Sequence, residues 1–349
     1  MALTDLKSLT YNQLNSFITN ELGEAPFRTK QIFSWLHKGV TSFDEMSDLS
    51  KALRQKLSQT AYISKLDIER KQVSKLDSTT KYLFRLDDGN CIETVVMYYK
   101  HGISVCVSSQ VGCAMGCRFC ASTIGGKVRS LNAGEILDQI LFAQKDIGER
   151  ISNIVMMGIG EPLDNYDNVI TFLQNVNHPD GVNIGYRHIS LSTCGLVDKI
   201  YKLADENLPI TLSVSLHAPN DEIRNSIMPV NGKYNIHELI TACKAYLEKT
   251  GRRISFEYSL ISGVNDSVEN ARELAHLLKG MLCHINLIPV NSIEERRDSI
   301  KKSTNANIIK FRNELTRLGM NATVRRELGS DIDASCGQLR KKSMSKTKA

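Results

Sequence analysis

The chain has 349 residues, of which 42% are hydrophobic and 23% charged, with a formal net charge of +6. That size buries a full core and that balance is globular, which excludes a small disulfide-stapled scaffold. No run of about 18 apolar residues occurs, so no membrane span is expected. The start, Met1 to Lys7, lacks the basic and apolar regions of a secretory signal. Nine cysteines, an odd number, fit a reducing compartment, and a cytoplasmic location is expected. The modest positive charge is compatible with a polyanionic partner. Candidate phosphate contacts are Arg252-Arg253, Arg325-Arg326 and the run from Arg340 to Lys348. Beyond Ser343 a merely solvated tail is the alternative.

Residues 1–75 read as a helical accessory module. Leu14, Phe17, Ile18 and Leu22 follow helical spacing, as do Ile32, Phe33 and Leu36, then Leu49, Leu53 and Leu57. Arg28, Lys30, Lys38 and Lys51 are interspersed, which suits RNA contact. Residues 76–100 read as a linking hairpin, its strands flanking the turn Asp87-Asp88-Gly89-Asn90.

From residue 101 to 326 strands and helices alternate. Strand-like runs occupy Ser104–Ser109, Ile151–Met157, Ile189–Thr193, Ile210–Ser215, Ile254–Leu260 and Ile285–Ile288. Between and after them come helical stretches at Ala133–Lys145, Val169–Val176, Val197–Glu206, Ile236–Glu248, Val268–Leu278 and Ala306–Leu318. The alternation predicts an α/β fold with right-handed crossovers, a partial (βα)6 barrel, with a short strand near Thr323–Arg325 as a candidate to close it. Residues 327–349 form a C-terminal segment.

The most specific motif follows the first barrel strand. Cys113, Cys117 and Cys120 have C-x3-C-x2-C spacing, which suits a 4Fe-4S cluster held by three thiolates, leaving one iron open for a small molecule. A zinc site including Cys106 is the alternative, but no second knuckle accompanies it. Other polar and glycine residues sit where strands end: Gly160 and Glu161 after the second, Ser192 in the third, Ser215, Leu216 and His217 at the fourth, and Asn291 after the sixth. Strand C-terminal ends converge on one mouth of a βα barrel, the usual place for an active site. These residues are candidates to hold the small molecule that the open iron would bind. Cys106, on the first strand, and Cys336, in the C-terminal segment, stand apart; Cys336 on a mobile tail is a candidate thiolate nucleophile. Cys91, Cys194, Cys243 and Cys283 read as packing residues.

The cysteine triplet resembles the signature of the radical S-adenosylmethionine (SAM) enzymes, and nearly the whole chain resembles the RlmN family of radical SAM adenine methyltransferases. The resemblance is carried by Phe27–Leu36, Val107–Cys120, Gly160–Asn165, Ser215–Asp221 and, most specifically, Asp331–Leu339. Ser335 stands where alanine is commoner, and Ser292 where proline is commoner. The resemblance implies methylation of carbon 2 of adenine in 23S ribosomal RNA and in transfer RNA. It implies two SAM molecules per turnover: one methylates Cys336, and the other, cleaved by a cluster electron, gives the radical that activates that methyl group. Cys106 is implied to resolve the resulting protein–RNA crosslink by forming a disulfide with Cys336. Glu93 matches the family's acidic residue and is a candidate proton acceptor, although an exposed strand carboxylate is what the sequence alone favours. A low-potential electron donor such as a flavodoxin or ferredoxin is implied as partner, with no membrane.

Two alternatives stay open. A related family methylates carbon 8 of the same adenine and shares the triplet, Cys106 and Cys336; the runs at Ser192 and Leu287 lean towards carbon 2. A non-catalytic zinc or iron–sulfur RNA-binding module would need only the cysteines and the basic surface.

Overall fold

The computed structural model describes residues 3–291, 293–296 and 300–339. The basic run from Arg340 to Lys348 and Ser292 lie outside the described residues.

The chain begins with the short strand β1 (Thr4–Asp5), then α1 (Tyr11–Ser16), α2 (Phe27–His37) and α3 (Lys51–Thr60); β2 (Ala61–Tyr62) returns to pair in parallel with β1. The spaced apolar residues read from the sequence bury together: Leu14, Ile18, Ile32, Leu36 and Leu57 belong to one hydrophobic cluster, separate from the main core. The helical run stops at Thr60, however. Asp67–Val73, expected within the helical module, is a strand, β3. It is a sheet edge with mostly exposed side chains, so it carries charges instead of the alternating apolar pattern that marks a strand.

β4 (Thr80–Arg85) and β5 (Cys91–Tyr99) form the expected hairpin, with Gly89 supplying a positive φ of 80° in the turn. The hairpin is no detached linker. β5 pairs antiparallel with β6 (Gly102–Cys106), and a small ribbon of β7 (Gln110–Val111) and β8 (Arg129–Ser130) follows. The parallel part adds β9 (Ile151–Met156), β10 (Ile189–Thr193), β11 (Thr211–Ser215), β12 (Ile254–Leu260), β13 (Cys283–Pro289) and β14 (Ala322–Val324). One ten-stranded sheet results, in the order β14-β13-β12-β11-β10-β9-β6-β5-β4-β3.

Its crossovers are α4 (Ala133–Ile147), α5 (Tyr166–Asn177), α6 (Val197–Asp205), α8 (Ile236–Thr250), α9 (Val268–Leu277) and α10 (Asn305–Arg317), with a further helix α7 (Asp221–Ile227) that the sequence pattern did not reveal. Local chemistry sets their ends. Asn235 and Glu238 form a reciprocal capping box on α8, and Gly251 at φ 62° ends it in the left-handed region.

β14 does not close the barrel. It pairs only with β13, at the far edge from β6. Side chains and the C-terminal segment fill the gap instead: Leu328, Ala334 and Leu339 pack on Val95, Met97 and Cys106 of β5 and β6.

The N-terminal module is locked to the barrel. The Lys7 ammonium is fully buried, 2.6 Å from the Asp138 carboxylate on α4, and also donates to Ser64 O. Lys30 pairs with Asp180 at 2.9 Å across the same junction. Replacing Lys7 by alanine would therefore leave Asp138 buried without its cation, a loss of about 3–5 kcal/mol for a pair of this kind. No helix among the described residues is long and apolar enough to cross a membrane.

Candidate active site

The C-terminal ends of the parallel strands open into a cleft that Cys113, Cys117 and Cys120 all line. The loop that carries the thiols bends sharply at Gly112, where an added Cβ would lie 1.9 Å from Gly126 O, and at Gly116, packed against Pro229. Burial pushes the Cys113 thiol up to about 12 and raises Cys117 and Cys120 as well; Cys120 and Cys113 add to the rise at Cys117. The three thiols thus sense one another in a low-dielectric wall.

A thiol becomes a metal ligand only on losing its proton, so metal binding at these three would release protons. Among the described residues no three metal-ligating side chains are already gathered into a coordination set. The donor set fits a cluster: three sulfurs, one cleft and no competing carboxylate among the triplet.

Most of the other expected residues are at this cleft. Gly160, Glu161, Ser192, Ser215, His217 and Asn291 all line it. Several have local work as well. Gly160, at φ 108°, lets Gln110 approach, since a Cβ there would sit 2.6 Å from the Gln110 side chain. Glu161 is buried, and its two oxygens accept from Leu163 N at 3.1 Å and Cys194 N at 2.7 Å, tying β9's loop to the end of β10. Its pKa is raised, because desolvation outweighs those bonds.

His217 accepts from Ser259 N through Nδ1 at 2.9 Å, so the proton sits on Nε2, and burial with the nearby Arg224 lowers its pKa to about 3. It is a neutral donor at any physiological pH. Asn291 donates to Cys336 O at 2.9 Å. Leu216 does not line the cleft: its side chain is fully buried in the main core, because strand alternation points it away from its neighbours Ser215 and His217.

Cys106 and Cys336 meet in a second, smaller cavity, in the gap of the barrel. Val95, Met97 and Cys106 form one side, Ile288 and Arg325 the other. Cys336 lines both cavities. Burial, with Cys336 as the next contributor, raises the Cys106 thiol to about 12, against a lowering by Arg325. Glu93 lines neither cavity, and it is buried, not the exposed strand carboxylate that the sequence favoured; Lys81 lies 3.5 Å from its Oε1.

Other expectations change. Arg325 is no outward phosphate contact, for its guanidinium lines both cavities, with Nη1 3.4 Å from Met157 Sδ. Only Arg326 beside it is exposed. Arg252 and Arg253 precede β12 and so lie at the end of the barrel away from the mouth. In the N-terminal module Arg28 bonds Gln31 and stacks on Phe27, and Lys38 lies over Trp35.

Sequence reasoning missed four contributors. Cys194, read as packing, lines the cleft beside Glu161. Met157, just past the end of β9, and Glu257, in the middle of β12, line it too. Arg224 is wholly buried and donates to Cys194 O at 2.7 Å and Leu216 O at 3.2 Å, pinning the ends of β10 and β11 together. Position at a strand end was a usable signal for Cys194 and Met157; a carboxylate in the middle of a strand and a single arginine on an unrecognised helix gave none.

Comparison with known proteins agrees with this geometry. Residues 4–63 match the family model described as ribosomal RNA large subunit methyltransferase N-terminal domain, and residues 107–278 match the radical SAM superfamily. A protein of Alkaliphilus oremlandii named probable dual-specificity RNA methyltransferase RlmN is 58% identical over 98% of this chain and 99% of its own. One of the same name from Clostridioides difficile is 55% identical, covering 97% of each. A crystal structure of a radical SAM methyltransferase from Sphaerobacter thermophilus superposes with a TM-score of 0.91 at 43% identity, over 96% of this chain and 99% of that one.

Proposed function

The chain belongs to the RlmN family of radical SAM RNA methyltransferases, and from that premise we propose that it methylates carbon 2 of adenine in 23S ribosomal RNA and transfer RNA, with Cys336 as methyl carrier. In this reading Cys113, Cys117 and Cys120 hold a 4Fe-4S cluster. When bound there, the cluster supplies the electron, drawn from a donor such as a flavodoxin or ferredoxin, that splits SAM. Gly160, Glu161, Ser192, Ser215, His217 and Asn291 hold the SAM molecule. His217 offers it a neutral N–H, and Ser192 and Ser215 offer hydroxyls.

Cys336 takes a methyl group from one SAM by displacement. That methyl group loses a hydrogen atom to the adenosyl fragment of a second SAM, and its carbon joins carbon 2 of the adenine. Such an adenine must be unstacked to enter the mouth. Cys106 then removes the ring proton, passes it on and attacks the Cys336 sulfur as a thiolate; the carbon–sulfur bond breaks, the released carbon takes up a proton to become the methyl group, and the odd electron leaves to the electron-transfer partner, so that a disulfide and the methylated base remain. Glu93, two residues from Val95 on one strand face, is the proton acceptor behind it. The N-terminal module and the outward basic residues grip the RNA backbone, and the reaction runs in the cytoplasm.

The observation that supports this reading is the double exposure of Cys336, to the cleft of the cluster cysteines and to the cavity of Cys106. The test is nucleoside analysis of 23S rRNA and of tRNA, each treated with cluster-reconstituted protein, SAM and reductant. 2-Methyladenosine is the expected product; 8-methyladenosine, or none in either RNA, would overturn the proposal.

A further inference from the structure

Cys336 has to face two cavities from a segment whose described residues form no helix or strand beyond one short turn at Ser330–Ile332. Ordering such a segment costs about 1–2 kcal/mol per residue in backbone entropy, so discrete anchors must hold it. The described anchors fall into two sets that bracket Cys336.

On the far side, Ala121 N donates to Gly337 O at 2.7 Å and Ser122 Oγ to Leu339 O at 2.7 Å, both from the loop just after Cys120. On the near side the partner is the turn between β3 and β4. Ser74 Oγ donates to Asp331 Oδ1 at 2.7 Å, and Lys75 N to Asp331 Oδ2 at 2.9 Å, across a sequence separation of 257 for the first bond. Asp77 Oδ2 accepts from Gly329 N at 3.0 Å, while its Oδ1 accepts from Thr79 N. Lys81, on β4, donates to Asp333 O at 3.1 Å.

The receiving segment is shaped for this dock. Gly329 has φ 62°, and a Cβ there would meet Ala334 Cβ at 2.7 Å and Thr79 Cγ2 at 3.0 Å. Ala334 N returns to Gly329 O at 3.0 Å, and Ser335 Oγ donates to Leu328 O at 3.0 Å, closing a compact knot directly before Cys336. Both carboxylates are held below the ordinary aspartate range. At Asp331 the Ser74 and Lys75 bonds are the cause; at Asp77 desolvation would raise the pKa, and the Gly329 and Thr79 bonds outweigh it. They are therefore charge-assisted acceptors at neutral pH.

We propose that the β3–β4 turn is a positioning element for the Cys336 thiol, with Asp331 as its receptor: Ser74, Lys75 N–H and Asp77 set where that thiol stands between the two cavities. This rests on Cys336 being the methyl carrier. The turn touches neither cavity, so it acts only through the segment it holds. A displacement of about 1 Å in a reacting group lowers rates by about a hundredfold, which is the leverage such an anchor has.

The test uses the full, cluster-loaded chain with Asp331→Ala, Asp331→Asn, Ser74→Ala and the Ser74→Ala/Asp331→Ala double variant. Four quantities are followed: Cys336 alkylation by a small thiol reagent, reductive cleavage of SAM, RNA methylation and Tm. Asp331→Ala is expected to raise Cys336 alkylation about tenfold and lower RNA methylation about tenfold, with SAM cleavage within about twofold of the parent. Asp331→Asn, keeping one acceptor oxygen, and Ser74→Ala fall between; the double variant is no worse than Asp331→Ala, because the Ser74 hydrogen bond can be lost only once.

Unchanged alkylation and methylation in Asp331→Ala would overturn the proposal, as would a loss of SAM cleavage equal to the loss of RNA methylation. If Asp331→Ala does not fold, Ser74→Ala decides by the same criteria. Methylation surviving in Cys336→Ala would instead overturn the carrier role, and the alkylation readout separates the two failures.

Discussion

The two cavities share a wall of Met157, Ile288, Asn291, Arg325 and Cys336 yet differ in almost everything else. The larger is built at the mouth of the parallel sheet, from strand ends and a glycine-bent loop, and its thiols have one another as neighbours. The smaller exists only because the barrel fails to close, and its walls are the antiparallel strands β5 and β6 and a returning C-terminal segment. The first kind of site is general to a βα barrel; the second is an addition made from the barrel's defect. The contrast teaches that in the proposed reaction radical generation and thiol exchange would be housed apart, with one thiol, that of Cys336, in the wall between them.

Substitutions can break this division at known points. The largest effect is expected for Cys113→Ala, Cys117→Ala or Cys120→Ala: loss of bound iron, of reductive SAM cleavage and of RNA methylation together, read by iron analysis and 5′-deoxyadenosine formation. A variant that kept its iron and its activity would show that the triplet is not the ligand set. Cys336→Ala is expected to abolish RNA methylation while SAM cleavage continues, because only the shared wall is altered. Parallel loss of both would mean that the cavities are not separable.

Cys106→Ala is expected to leave the carbon–carbon bond-forming step intact and to stop release, so a covalent protein–RNA adduct accumulates on denaturing gels. Normal turnover in that variant would remove Cys106 from the smaller cavity's chemistry. The same cysteine gives a pH test. With a thiol raised to about 12, its thiolate fraction at pH 8 is about a thousandfold below that of an ordinary cysteine, and alkylation should be slower in proportion and rise tenfold per pH unit. Rapid labelling of Cys106 at pH 8, mapped by mass spectrometry, would contradict its burial. The smallest effect on Cys336 itself is expected for Asn291→Ala, which removes one hydrogen bond to the Cys336 carbonyl, while SAM cleavage also falls because Asn291 is among the proposed SAM contacts. A bond of this kind is worth about 1 kcal/mol, so Cys336 alkylation should change by only a few-fold.

By itself the sequence determined the parts whose information is local. Apolar periodicity placed the barrel strands and six of its helices to within a few residues, since period 2 and period 3.6 are written into neighbouring positions. The cysteine triplet was legible for the same reason, being packed into eight residues. Strand-end position was enough to bring Gly160, Ser192, Ser215, His217 and Asn291 to one mouth.

Where local pattern is silent, only the tertiary structure decided. The edge strand Asp67–Val73 carries charges on both faces and gave no strand signal. Leu216 looked like its neighbours until the pleat turned it into the core. Glu93, Arg224 and Arg325 are polar residues whose burial depends on what packs over them, and that comes from segments tens to hundreds of positions away. Cys106 and Cys336 lie far apart in the chain and share a cavity because the sheet stays open at β14 and the C-terminal segment fills the gap. Such contacts are non-local and set by how the whole sheet closes or fails to close, so no stretch of sequence contains them.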